Sequence, residues 1–191
     1  MKRFSDLEMA ILGIVYKRAP CTSYAVAREF FASPSSHWRG SAGAVYPAVA
    51  RLQRLALLKG RRATHLGRPC ALFTLTAKGL RTLRTWLLPP LPEAAAAISF
   101  DPIRTRAFFL AALTATDQAA FLTDAERQLK AQVPLVEAEC QRYRQLGDWF
   151  SEQAQHGALY VMKARIAWVR KLRSRLANRQ TSEYGPKEKS A

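Results

Sequence analysis

The chain is short of cysteine, short of histidine and, in its first half, nearly devoid of acid. Each shortage removes a class of function. The three cysteines, Cys21, Cys70 and Cys140, are odd in number and far apart, which suggests neither a disulfide framework nor a zinc-ligand spacing. His37, His65 and His156 add no ligand pattern. No metal and no cofactor are therefore expected. No apolar stretch reaches the ~20 residues of a membrane span. No N-terminal apolar run is long enough for a signal peptide, since Asp6 and Glu8 interrupt it. The expectation is a soluble, cytoplasmic protein with no membrane partner. There is no G-x-S-x-G, no Gly-rich phosphate loop and no H-E-x-x-H, and no His/Asp constellation accompanies a cysteine. An enzyme is not expected.

What is present is basic charge. The formal net charge over 191 residues is +16. Residues 1–90 hold 15 Lys/Arg against only Asp6, Glu8 and Glu29, a net +12; residues 91–191 hold 15 against 11, a net +4 gathered toward the end. Such asymmetry points to a polyanionic partner for the first half, with nucleic acid ahead of an anionic membrane surface.

The stretch Ser41–Leu55 organises that half. Val45, Val49, Leu52 and Leu55 fall at i, i+4, i+7 and i+10, one side of a helix. The other side offers Ser41, Gly43, Tyr46, Arg51 and Arg54. The helix is expected to begin between Ser41 and Gly43. Pro47 is then tolerated near its first turn, where amides lack intrahelical partners. Two helices precede it: Ser5–Lys17, with Leu7, Ile11, Ile14 and Val15 inward, and Tyr24–Ala32, capped by Thr22 or Ser23. Ser33–Ser36 reads as a loop and residues 37–40 as a lead-in, giving a helix-turn-helix. Two short strands follow around a basic turn at Ala63–Pro69, then a Thr76-capped helix from Ala77 to about Leu88. A hairpin directly after such a helix is a wing. Arg51, Arg54, Arg61, Arg62 and Arg68 suit phosphate contacts. Ser41, Ala42, Gly43 and Ala44 would supply modest base readout helped by DNA shape. Tyr46 fits core or phosphate on spacing alone.

Pro89-Pro90-Leu91-Pro92 marks a boundary. The organisation expected is a DNA-binding domain at 1–88, a Pro/Ala-rich linker at 89–100, a helical dimerisation domain at 101–179 and a disordered tail at 180–191. In the third part a helix runs from Asp101-Pro102 to about Leu113, and Thr116-Asp117 caps a longer one. Leu122, Leu129, Val136 and Tyr143 form a seven-residue row beside Val133 and Cys140, coiled-coil-like but kinked at Pro134. Gly147 is a candidate terminus. After a break at His156-Gly157, a last helix to about Asn178 carries Met162, Ile166, Val169, Leu172 and Leu176. These rows predict burial against a second copy of the chain, with an intrachain helical hairpin as the alternative. Trp38, Trp149 and Trp168 are candidates for a small-molecule effector pocket between the halves, or for ordinary core.

Taken together, the residues resemble the PadR family of transcriptional regulators. Gly43-Ala44-Val45-Tyr46-Pro47-Ala48-Val49-Ala50-Arg51-Leu52 is similar to that family's Gly-x-[Ile/Val/Leu]-Tyr-Pro-x-[Leu/Val]-x-x-Leu signature. Residues 7–13, Ser23-Tyr24, Trp38, Leu57-Leu58 and Leu75-Thr76-Ala77-Lys78-Gly79 match in order and spacing, so the resemblance covers roughly residues 5–88. More weakly, the second half resembles the C-terminal helical domain of the subfamily that includes virulence-gene activators, with Ala164–Trp168 at a Trp-containing segment. The resemblance implies a mainly α fold with a β-hairpin wing, and a homodimer on a pseudo-palindromic promoter site, usually acting as a repressor. It implies DNA-contact roles for Tyr24, Ser41, Gly43, Tyr46 and the wing arginines. One departure is Gln53, where the family often has Glu. A non-specific architectural DNA-binding protein, or a ligand-gated protein-interaction module, are the competing readings.

Overall fold

The computed structural model of the protein describes residues 4–65 and 68–183. The chain is mainly helical, with a single two-stranded antiparallel hairpin among the described residues. It divides between Ala97 and Ile98 into two compact units.

The first unit opens with α1 (Asp6–Arg18). Its start is fixed locally. The Ser5 hydroxyl accepts from the Glu8 amide, and the Glu8 carboxylate accepts from the Ser5 amide at 2.9 Å, a reciprocal capping box. Asp6 and Glu8 in the first turn and Lys17 and Arg18 in the last complement the helix dipole. The buried stripe is Met9, Ile11, Leu12 and Val15; Leu7 and Ile14, expected inside, are only partly covered. Thr22 caps α2 (Ser23–Ala32) by accepting from the Ala25 amide at 3.0 Å, and Val26, Ala27 and Phe30 point inward.

The next segment departs from expectation. Residues 37–40 are not a lead-in. They lie in α3 (Ser36–Ser41), which runs through a 3-10 turn (Ala42–Ala44) into α4 (Val45–Arg54). Ser41 is no cap, because its hydroxyl donates back to the His37 carbonyl at 2.9 Å. Pro47 is the third residue of α4, where its missing amide costs no bond. Val45, Val49 and Leu52 are buried as expected, and Leu55 packs at the margin of the same cluster.

The hairpin is longer than the sequence suggests. β1 (Leu58–His65) pairs with β2 (Arg68–Leu75), Leu58 opposite Leu75 and His65 opposite Arg68. The expected turn residues 63–65 and 68–69 are therefore strand. Cys21 adds a short bridge to Phe73 on the far side of β2. Thr76 caps α5 (Ala77–Leu87), accepting from the Gly79 amide at 2.9 Å. A short α6 (Glu93–Ala96) lies within the stretch read as linker. Burial pushes the Cys21 thiol up, and Cys21 serves as a small apolar core residue.

The second unit contains α7 (Pro102–Ala107), a 3-10 turn (Leu110–Ala112), α8 (Ala115–Gln145) and α9 (Trp149–Glu183). Asp101 caps α7. The cap of α8 is Thr114, whose hydroxyl accepts from the Asp117 amide, and not Thr116. Helix α8 continues through Pro134 and ends before Gly147, which takes a positive φ of 67°. The expected break at His156-Gly157 is absent. Glycine inside a helix costs about 1 kcal/mol, and burial of Leu159, Ile166 and Val169 on the same helix outweighs that at roughly 1.5–3 kcal/mol per side chain. Helix α9 also extends past Asn178; residues 184–191 of the expected tail lie outside the described residues.

The heptad row is used inside the chain. Leu122, Leu129, Ile166 and Val169 form one buried cluster between α8 and α9, with Val133, Met162, Leu172 and Trp168 packed around it. Val136 and Cys140 are buried too, and Tyr143 is half-buried. Periodicity revealed an apolar face; the face is covered by the chain's own neighbouring helix, the alternative considered above.

Glu126 ties the two helices together. It is buried, and it meets Lys130 Nζ at 2.6 Å, Arg170 Nε at 2.7 Å and Arg173 at 3.0 Å. Hydrogen bonds from Lys130 first and Arg170 second hold its carboxyl down at about 2. A carboxylate with a depressed folded pKa stabilises the fold above its unfolded value, and that contribution disappears as pH falls through the folded one. The melting temperature of the helical unit should therefore drop between about pH 4.5 and pH 2. Glu126→Gln should flatten that acid limb and lower the melting temperature at neutral pH, as thermal melts across the range would register.

Candidate nucleic-acid interface

Helix α4 is held from below and bare above. Its buried side rests on α1 and α2. Gly43, Ala44, Tyr46, Pro47, Ala50, Gln53 and Arg54 are exposed. Tyr46 is 49% exposed, which resolves its ambiguity: the ring stands on the solvent side and not in the core. Tyr24 on α2 is 63% exposed. Ser41 and Ala42 are half-buried, and Ala42 leans on the core cluster. The exposed surface of the segment thus begins with small groups and ends in an aromatic hydroxyl and a guanidinium.

The wing supplies charge. Lys59, Arg61 and Arg62 on β1 are all exposed. Neighbours on a strand point to opposite faces, so Arg61 and Arg62 flank the ribbon. The Arg68 side chain lies outside the described residues.

Arg51 has a different employment from the one its sequence position suggested. Its guanidinium pairs with the buried Glu8 carboxylate and lies 5.9 Å from the Phe4 ring centroid. Glu8 therefore does two things. One oxygen completes the α1 capping box, and the other anchors α4 to α1. Arg54, one turn on, is exposed and has no ion pair among the described residues.

Two features were not read from the sequence. Lys78 donates to the Leu55 carbonyl at 2.9 Å, closing the C-terminal end of α4 from α5. The partners are 23 residues apart, so no local pattern announces the bond. Arg39 on α3 is exposed one turn ahead of Gly43 and adds a cation to this end of the segment; its four-residue offset from Gly43 was the available signal.

The tryptophans proposed for a pocket fall in different settings. Trp38 packs against the first unit's core, 5.5 Å from the Phe30 ring. Trp168 packs against the α8–α9 cluster. Trp149 is 61% exposed and sits edge-on to Phe150. Among the described residues no group of three or more His, Cys, Asp or Glu is placed to hold a metal ion, and no helix is long and apolar enough to cross a membrane.

The family described as the transcriptional regulator PadR-like family matches residues 11–85, the span from α1 to α5. No curated protein matches the chain by sequence. Among solved structures, Bacillus subtilis PadR in complex with operator DNA is similar with a TM-score of 0.72 at 19% identity, covering 90% of this chain and 99% of that one. The PadR-like transcriptional regulator BC1756 from Bacillus cereus also gives 0.72, at 13% identity, covering 91% and 99%. The Vibrio cholerae virulence activator AphA gives 0.64 at 16% identity, covering 91% and 99%. These likenesses show a fold shared over about nine tenths of the chain.

Proposed function

The chain carries a PadR-like transcriptional regulator domain, and from that premise we propose that it is a sequence-specific regulator of transcription that binds double-stranded DNA as a homodimer and represses. The observation that carries this reading is the exposed side of α4, with Tyr46 and Arg54, beside a wing bearing exposed Arg61 and Arg62, in a half-chain with 15 basic residues and 3 acidic ones. Tyr24, Gly43, Ala44, Tyr46 and Arg54 face the groove and its backbone, Arg61, Arg62 and Arg68 meet phosphates, and Arg51 positions α4 through Glu8. The neighbour solved with operator DNA supports this assignment by fold. Acting on DNA, the protein works in the cytoplasm.

The homodimer rests on a second observation. Phe108, Phe109, Leu146, Trp149 and Phe150 of the helical unit are each 60% exposed or more. These side chains lie at the two ends of α8, Phe108 and Phe109 before it and Leu146, Trp149 and Phe150 after it, and a partner copy would cover both clusters. Two copies would read half-sites one or more helical turns apart.

The test is selection of duplex fragments from a random pool by the purified protein, followed by competition between the selected fragment and random DNA. Enrichment of an inverted repeat, bound by a particle of dimer mass in light scattering, is the expected result. Retention without sequence preference would favour an architectural role. No retention at low salt would overturn DNA binding altogether.

A further inference from the structure

The exposed side of α4 is poor in hydrogen-bonding groups. Tyr46, Pro47, Ala50 and Arg54 fall within about 100° of one arc of the helix, away from the buried Val45, Val49 and Leu52. Gly43 and Ala44, exposed just ahead of them, have no polar side chain. Arg51 is tied to Glu8. Gln53 carries the only side-chain amide of the helix, and that amide lies over the base of the wing: a Cβ added at Gly60 would stand 3.2 Å from its Nε2. From Gly43 to Ala50 the only side chain able to donate or accept a hydrogen bond is Tyr46.

The major groove offers one apolar feature to such a surface. Every base edge there shows donors or acceptors, and thymine alone adds a methyl group, at C5. The Pro47 ring and the Ala50 methyl cannot pair with polar edges, so the base they complement by direct contact is thymine. Their spacing fits neighbouring bases. At 1.5 Å per residue Pro47 and Ala50 are about 4.5 Å apart along the axis, against roughly 3.4 Å between successive nucleotides of a strand. Gly43, where an added Cβ would meet nothing within 4 Å, puts no side chain between the groove and the start of the helix.

We propose that Pro47 and Ala50 determine specificity by reading the C5-methyl groups of two neighbouring thymines in each half-site. This rests on the DNA-binding reading above, which turns this side of α4 to the groove on the strength of the flanking basic charge and the family match, and not of its small side chains. The side chains decide what the helix can read once it is there.

The probe is the duplex that the full chain enriches from a random pool. Each thymine of its half-sites is replaced singly by deoxyuridine, which removes the methyl and keeps the base pair. Affinity should fall about fourfold at each of two neighbouring positions, the transfer of one buried CH2 group, and stay at the native value elsewhere. At those two positions a 5-methylcytosine·guanine pair should bind more tightly than cytosine·guanine by about the same factor, which separates methyl contact from pairing. Ala50→Gly should bind thymine and uracil duplexes alike at one position, and Pro47→Ala should narrow the difference at the other. Pro47→Ala replaces a proline inside a helix by the best helix former, so failure to fold would not hide the result. Uracil duplexes bound with native affinity throughout, an enriched site without neighbouring thymines, or a uracil penalty unchanged in both variants would each overturn this proposal and leave DNA binding standing. Absence of retention on any duplex overturns both.

Discussion

Gly79→Ala should cost the first unit about 3 kcal/mol, the upper end of overpacking penalties, and abolish DNA retention with it. A Cβ at residue 79 would lie 2.1 Å from the Leu57 carbonyl oxygen and 3.0 Å from its carbon. The obstacle is backbone, so no side chain can swing away. It is also pinned. Leu57 is fully buried, and its carbonyl accepts from the Thr76 amide at 3.1 Å. The Thr76 hydroxyl sits 2.7 Å from the Ala56 carbonyl and accepts from the Gly79 amide. Ala56 itself holds a positive φ of 55°, the tight corner by which α4 turns into β1. The start of α5 is thus bolted to the corner from which both the α4 segment and the wing depart. The helix-propensity gain of alanine over glycine, about 1 kcal/mol, is too small to offset a displaced backbone. Gly13→Ala in the same unit is the control. Nothing lies within 4 Å of its added Cβ, so it should be neutral to stabilising by up to about 1 kcal/mol. Denaturant midpoints at unchanged m-value would separate the two. Equal midpoints would mean that the corner yields.

How far the sequence could be read follows the range of each interaction. Ser5, Thr22 and Thr76 were legible as caps because a cap is made with an amide three residues away. The inward sides of α2 and α4 were legible because burial has the period of the helix. The beginning of the α4 segment was not. Ser36–Ser41 has no apolar stripe, and none of its residues is buried, so nothing in its pattern distinguishes a helix from a loop. The outer ends of the hairpin were read as a turn because strand residues exposed on a two-stranded ribbon need not alternate. Gly157 signals a break by local propensity alone; the burial of Leu159, Ile166 and Val169 that carries the helix through it is set by contacts with α8 that no local pattern shows. Arg51 was read as a phosphate contact because Glu8, its partner, is 43 residues away. The row Leu122, Leu129, Val136 announced an apolar face, but periodicity carries no information about whose surface covers it. Here α9 does.

Arg61→Ala/Arg62→Ala should weaken binding to selected and random duplexes by the same factor. The double variant should also flatten the salt dependence by about 2 per protomer, at roughly 0.9 per phosphate neutralised. At physiological salt that amounts to roughly fivefold in affinity for each arginine. Both guanidinium groups are exposed on β1, so their removal leaves the core untouched, and melting temperature should stay near the native value. The two single variants carry further information. Because Arg61 and Arg62 leave the ribbon on opposite faces, unequal effects would identify the face that lies along the backbone. An effect confined to one base position would contradict a phosphate role. Arg51→Ala is expected to behave in the opposite way. It leaves the buried Glu8 carboxylate without its guanidinium, at a cost of about 1–3 kcal/mol in stability. Where the protein remains folded, the salt slope should be that of the native chain, because Arg51 is tied to α1 and not to the exposed side of α4. Two sets of arginines within twelve residues would then be separated by different observables: one by stability at fixed slope, the other by slope at fixed stability.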